Sequence, residues 1–212
     1  MSTSDPHGDT QVVTAGTALS EADAAVVLSH GRGATAQSVL SFANELPTDG
    51  VAYLAPQAAR NTWYPQAFTA PEERNEPWLS SALEKLDSVV ETVADAGISR
   101  EHVLVGGFSQ GACLSAEYVA RNPTRYGGLA VLSGGLIGAS VSEDDYPGGL
   151  DGTPAFLGCS DSDPHIDAER VRETDRILTA MDAAVDTRLY EGMGHTVIPD
   201  ELDAVRSLVE SL

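Results

Sequence analysis

Lysine is nearly missing from this chain: Lys85 is the only one, and basic residues total 12 against 32 acidic ones, for a formal charge of −20. Such a surface repels nucleic acid and anionic membranes, so neither is expected as a partner. Acidity combined with lysine depletion suits a halophilic setting, where mobile ions screen carboxylate repulsion. The plainer alternative is an ordinary acidic protein. Cysteine is also scarce. Cys113 and Cys159 each adjoin an apolar stretch and make no disulfide framework, which fits a reducing, cytoplasmic compartment. Residues 1–10 have neither a basic start nor an apolar core, so they do not read as a signal peptide, and a frayed, flexible segment is expected there. No apolar run approaches membrane-spanning length, and no repeat, low-complexity tract or second core is visible. At 212 residues the chain reads as one domain, 1–212.

Short runs rich in Val, Leu and Ala alternate with longer polar–apolar periodic stretches, the pattern of an α/β fold with a mostly parallel central sheet and helices on both faces. Strands are expected at 11–15, 24–29, 51–55, 102–108, 128–133, 154–159 and 185–190. Helices are expected at 35–46, 77–96, 110–122, 166–181 and 200–212, with Gly97 and Pro123 as stops. The segments 56–76 and 134–152 resist assignment, and long connections of this kind are often functional. Neither is large enough for a separate lid domain, so the site should be fairly open.

Gly107-Phe108-Ser109-Gln110-Gly111 follows the apolar run Val103-Leu104-Val105 and precedes a helical pattern. A serine between two glycines at a sharp strand-to-helix turn has the signature of a hydrolase nucleophile, since the strained turn leaves no room for side chains and points the hydroxyl outward. A serine hydroxyl is a poor nucleophile, so it needs a base and a third group to hold that base in the right tautomer. On such a sheet these should follow the serine, acid first and histidine last, at the carboxyl ends of later strands. His195, in Gly192-Met193-Gly194-His195 after the last strand, is the best base of five histidines: His7 lies in the loose terminus, His102 opens a strand on the far side, and His165 follows the acidic turn directly. For the acid, Asp161, Asp163 and Asp167 all lie near the end of the strand at 154–159, where an aspartate can also be a helix cap or a solvated charge; Asp163 is preferred over Asp161 because Pro164 fixes the turn that follows.

Attack on a carbonyl creates an oxyanion that backbone donors must already face, one from the residue after the nucleophile and one from a loop after an early strand. Gln110 supplies the first and Arg32, in Ser29-His30-Gly31-Arg32-Gly33, the second. This glycine-rich turn lacks a Walker lysine and the dinucleotide spacing, so nucleotide binding is not expected. The side chain of His30 reads as a structural hydrogen-bonder.

Together with Asp163-Pro164-His165-Ile166, these motifs, from about Val26 onward, resemble the phospholipase/carboxylesterase family of α/β hydrolases, which includes acyl-protein thioesterases. The resemblance implies a compact α/β-hydrolase fold without a lid, cleaving carboxylic ester or thioester bonds of small to medium acyl substrates. Ser109, Asp163 and His195 would form the triad, and the amides of Arg32 and Gln110 the oxyanion hole. It also favours Asp163, because the family acid precedes proline. The chain departs from the family at Arg32, where many members carry leucine or another apolar residue. Two readings follow: the guanidinium binds a carboxylate or other polar group on a small substrate, or it forms an internal salt bridge with one of many nearby acids. Gly31 would let the substrate approach the backbone closely. Trp63 and Tyr64, with Phe68 and Trp78, would line a pocket or form a small core of their own loop.

The expected chemistry is two-step acyl transfer needing no metal or organic cofactor, on a small-molecule ester or thioester. A homodimer is compatible with the sequence. Two rivals stand beside it: a dienelactone-hydrolase-like enzyme acting on a small acidic lactone, for which Arg32 speaks but whose usual cysteine nucleophile is absent at the elbow, and a catalytically silent binding protein that kept the fold.

Overall fold

A computed structural model describes residues 5–212. Seven strands form one sheet: β1 (Val12–Gly16), β2 (Ala24–Ser29), β3 (Val51–Pro56), β4 (Val103–Phe108), β5 (Gly128–Leu132), β6 (Pro154–Ser160) and β7 (Ala184–Tyr190), in the order β1-β3-β2-β4-β5-β6-β7. Only β1 runs antiparallel, pairing Val12 with Pro56 and Gly16 with Ala52. Every residue of β2, β3 and β5 is buried, because helices cover both faces of the parallel part.

The helices are α1 (Ala36–Val39), α2 (Trp78–Asp95), α3 (Gln110–Arg121), α4 (Ala168–Ala180) and α5 (Pro199–Glu210). On one face α2, α3 and α4 bury Leu79, Leu86, Val90, Leu114, Val119 and Leu178 against Val27, Val105 and Leu157. On the other, α1, its continuation and α5 bury Val39, Leu40, Val205 and Val209 against Val26, Leu104 and Phe156. In α2 the buried positions Leu79, Ala82, Leu86, Val89, Val90 and Val93 recur every three or four residues, as the sequence periodicity predicts. Truncating one of these leucines to alanine costs about 2–5 kcal/mol.

Two expectations are corrected. The helix expected over 35–46 is a single α-turn followed by a 3-10 stretch, Leu40–Glu45. Serine hydroxyls compete with the amides for the same acceptors: Ser38 Oγ donates to the Thr35 carbonyl at 2.7 Å and Ser41 Oγ to the Ser38 carbonyl at 2.6 Å. The amino terminus is not loose over residues 5–10; residues 1–4, the remainder of that expectation, lie outside the described residues. His7 is fully buried. The Ala59 amide donates to its Nδ1 at 3.0 Å, which leaves the proton on Nε2, where it is donated to the Trp63 carbonyl at 2.9 Å. Burial holds its pKa below the usual histidine value. The one lysine of the chain belongs to the same anchor: Lys85 Nζ donates to the Gly8 and Thr10 carbonyls.

Because β2, β4, β6 and β7 are parallel and in register, with Ser29 beside Gly107 and Ser160 beside Tyr190, the loops that leave their carboxyl ends rise at one edge of the sheet. Among the described residues no helix is long and apolar enough to cross a membrane.

Glu201 lies in the first turn of α5, just after the loop that leaves β7. It is fully buried, with Oε2 accepting from the Ile198 amide at 3.0 Å and Oε1 without a hydrogen-bond partner among the described residues. A Cβ on Gly158 would collide with that carboxyl, so β6 leaves the space that Glu201 fills. Burial pushes the Glu201 carboxyl up to about 7; the Ile198 amide opposes the shift and Asp200 adds to it.

Two outcomes follow from this packing. His7→Ala strips partners from the Ala59 amide and the Trp63 carbonyl and should lower unfolding free energy in urea by about 2 kcal/mol. For Glu201, the folded state holds a proton that the unfolded chain has released, so stability should fall as pH rises from the unfolded carboxylate value to about 7. Glu201→Gln should remove this loss, and thermal melts of both proteins at acidic and at mildly alkaline pH should show the smaller difference in the variant.

Candidate active site

At the turn between β4 and α3, Ser109 has φ 56° and ψ −120°, a left-handed conformation that is costly for a residue with a Cβ. Its neighbours explain how the turn forms. A Cβ on Gly107 would stand 2.5 Å from the Ser29 carbonyl oxygen, and one on Gly111 would meet the Ser29 and His30 carbonyls. The missing side chains let the loop after β2 lie directly on the elbow. The Ser109 amide donates to the Leu132 carbonyl at 2.9 Å, and the Cys113 amide to the Ser109 carbonyl at 3.0 Å, so the turn is tied on both sides.

His195 reaches the same point from the far side of the sheet. Its loop adopts positive φ at Gly192 (61°) and Gly194 (76°). The Gly192 amide donates to Asp161 Oδ1 at 3.1 Å and the Gly194 amide to Ser160 Oγ at 3.3 Å, so the end of β6 holds the loop that follows β7. His195 Nε2 lies 2.9 Å from Ser109 Oγ, and Nδ1 lies 2.7 Å from Asp163 Oδ2. With its proton on Nδ1, the ring donates to the carboxylate and leaves Nε2 to accept from the hydroxyl.

The Asp163 side chain is sealed from solvent. Burial by itself would raise its pKa, but the hydrogen bond to His195 and the amides of His165 (2.8 Å) and Ile166 (3.1 Å) on Oδ1 outweigh that and hold it below the ordinary aspartate value. It is a carboxylate at neutral pH. Asp161 touches the loop backbone instead of the imidazole, and Asp167 caps α4, its Oδ1 accepting from the Glu169 amide at 2.9 Å.

The backbone amides of Arg32 and Gln110 have no hydrogen-bond partner among the described residues. Gln110 is the first residue of α3, so its amide is one of the orphan donors at the positive end of a helix. A Cβ on Gly31 would touch Ser109 Cβ at 3.5 Å, which sets the Arg32 loop beside the serine. His30 is structural, as expected: the Ala58 amide donates to its Nε2 at 3.1 Å, and its Nδ1 donates to the Gly31 carbonyl at 2.8 Å.

A cleft of about 370 Å³ opens over Ser109 and His195. Its walls include Tyr64, Phe68, Cys113 and Ile166, with Arg32 and His165 among the polar groups and no carboxylate on its surface. Of the residues expected to bind substrate, Arg32 and Tyr64 line this cleft and Gly31 and Trp63 do not. Gly31 is buried, its carbonyl taken by His30. Trp63 is fully buried against the rings of His7 and His30, and its Nε1 donates to the His30 carbonyl at 2.8 Å. Trp78 also lies away from the cleft. Cys113, His165 and Ile166 were not singled out as cleft residues, yet each carried a signal. Cys113 sits one helical turn beyond Ser109, and the turn closed by Asp163 Oδ1 presents the side chains of the two residues whose amides it binds.

The salt-bridge reading of the Arg32 side chain is corrected, and the carboxylate reading loses its bidentate geometry. It forms no ion pair among the described residues, and its guanidinium is already committed: Nη2 donates to the Tyr64 (2.9 Å) and Gln66 (2.6 Å) carbonyls and Nη1 to the Pro65 carbonyl (3.0 Å). With both Nη2 hydrogens used, neither edge of the guanidinium keeps the adjacent pair of donors that a bidentate carboxylate requires.

Residues 9–212 match the model of the Phospholipase/Carboxylesterase family. The chain is 28% identical over 132 residues to acyl-protein thioesterase 1 of Saccharomyces cerevisiae, covering 61% of this chain and 58% of that protein. It is 30% identical over 125 residues to acyl-protein thioesterase 1 of Gibberella zeae, covering 58% and 53%. The match thus spans little more than half the length of these curated relatives. A crystal structure of a phospholipase/carboxylesterase from Dyadobacter fermentans DSM 18053 superimposes with a TM-score of 0.92 at 41% identity, over 95% of this chain and 97% of that one. The Bacillus cereus carboxylesterase shares the fold, with a TM-score of 0.77 at 16% identity over 97% and 96% of the two chains.

Proposed function

Since this chain belongs to the phospholipase/carboxylesterase family, whose α/β-hydrolase fold it has, we propose that it hydrolyses carboxylic ester or thioester bonds through Ser109, His195 and Asp163. The observation that carries this reading is the unbroken hydrogen-bonded line from Ser109 Oγ through the imidazole to Asp163, at 2.9 and 2.7 Å.

In the first step His195 Nε2 takes the hydroxyl proton as Ser109 Oγ bonds to the substrate carbonyl carbon. The carbonyl electrons move to its oxygen, which the amides of Arg32 and Gln110 meet, and Asp163 stabilises the imidazolium. The intermediate collapses, the bond to the alcohol or thiol breaks, and His195 returns its proton to that leaving group. The acyl group is then an ester of Ser109. Water, deprotonated by His195, attacks the same carbon, and the carboxylic acid leaves as the serine regains its proton.

The size of the cleft and its apolar side chains favour a small to medium acyl group. The lactone alternative leans on Arg32 as a partner for an acidic substrate, and the three carbonyls on that guanidinium weaken it by removing a bidentate edge. The charge of −20 with a single lysine favours a salt-rich cytoplasm as the working environment.

Ser109→Ala should abolish p-nitrophenyl acetate hydrolysis with an unchanged circular dichroism spectrum; turnover near wild type in that variant overturns the reading. Asp163→Asn should lower kcat by about 10³–10⁴-fold, since it removes the acceptor that sets the imidazole tautomer, while Asp161→Asn should cost about tenfold or less because it only loosens the loop. For the salt reading, Tm should climb as KCl is raised to about 2 M, where carboxylate repulsion is screened; a flat or falling Tm refutes it.

A further inference from the structure

Two amides form an oxyanion hole only if they aim at one point, and here they sit on separate elements: Arg32 on the loop after β2, Gln110 at the start of α3. Sheet pairing fixes the roots of those elements, Ser29 beside Gly107, but not the exposed loop above them. The side chains of these same two residues meet at a single atom. Gln110 Nε2 donates to the Tyr64 carbonyl oxygen at 2.8 Å, and Arg32 Nη2 donates to the same oxygen at 2.9 Å. A carbonyl oxygen has two lone pairs, and both are taken.

Each side chain grips further along the same segment. Gln110 Oε1 accepts from the Trp63 amide at 3.0 Å, while Arg32 reaches on to the Pro65 and Gln66 carbonyls. The segment itself is held from below: the Tyr64 and Trp63 rings are buried, and the Gly33 amide donates to the Asn61 carbonyl at 2.7 Å.

We propose that residues 63–66 act as a fixed jaw for the oxyanion hole, with the side chains of Arg32 and Gln110 as positioning groups that set the separation of their own backbone amides through the Tyr64 carbonyl. This rests on the acyl-transfer reading above and deepens it. Arg32 thereby serves the transition state of every ester the enzyme takes, and does not select charged substrates. Lysine is a poor replacement, because one ammonium cannot span three carbonyls on consecutive residues with the planar fork that arginine supplies.

The test measures Ser109 acylation in single turnovers, with KM, for a neutral ester and for one bearing a carboxylate. The proteins are wild type, Arg32→Met, Gln110→Met, the double variant and Arg32→Lys. Both methionine variants keep the amide and remove the grip. Each should slow acylation by about 10- to 100-fold on both esters, with KM within about threefold. The double variant should lose no more than about threefold beyond the worse single variant, because the two share one anchor. Arg32→Lys should fall between wild type and Arg32→Met, and it carries the test if the methionine variants melt below the assay temperature. Near-wild-type acylation in the single variants, losses that multiply in the double variant, or an Arg32→Met effect confined to KM of the anionic ester overturns the proposal. Activity surviving Ser109→Ala overturns the reading beneath it, so the two failures are distinct.

Discussion

The close approach of the loop after β2 to the turn after β4 is the constraint on which the site depends. The Ser29 and His30 carbonyls lie where a Cβ of Gly107 or Gly111 would have to go, so backbone packs on backbone with no side chain between. That contact brings the candidate oxyanion donors to either side of Ser109 and forces the serine into its left-handed conformation. The strain is supported from several directions: the Leu132 carbonyl holds the serine amide, α3 starts on the serine carbonyl, and the buried His30 ring locks the neighbouring loop.

The other half of the site is built on the opposite side of the same sheet by polar contacts in place of close packing. β6 and β7 end side by side, and the end of β6 supplies both the carboxylate that orients His195 and the Ser160 and Asp161 side chains that hold its loop. Two neighbouring aspartates therefore have separate tasks set by where their oxygens point. In a protein with 32 acidic residues the cleft itself presents none, and Asp163 lies sealed behind the imidazole. The cleft thus presents Arg32 and no carboxylate within a strongly acidic protein.

Much of this was legible in the chain. The alternation of apolar runs with periodic stretches located seven strands and the helices, with only the 35–46 helix changing character, because serine hydroxyls bonded to carbonyls three residues back in ways that periodicity does not register. Ser109, Asp163 and His195 could be picked out because each follows a strand end in a turn rich in glycine or proline, and turns of that kind are written locally. The errors fell where a side chain's destination depended on distant segments. His7 was expected to be loose, and it is buried because Trp63, Ala59 and Ser81, far along the chain, supply its partners. Trp63 was a candidate for the pocket wall, and the same His7 ring helps to keep it in the core.

By itself, the sequence determined the layered α/β architecture, the strand-to-helix turn at Ser109 and the order in which Asp163 and His195 follow it at later strand ends, since these follow from periodicity, glycine sterics and the handed connection of parallel strands. Only the tertiary structure decided that Asp161 holds the His195 loop, that Arg32 holds three carbonyls and pairs with no acid among the described residues, and that residues 5–10 pack behind the wall of the cleft. Those outcomes depend on which atoms meet across dozens of residues, and a hydrogen bond is selected by distance and direction in space, neither of which is encoded at any single position.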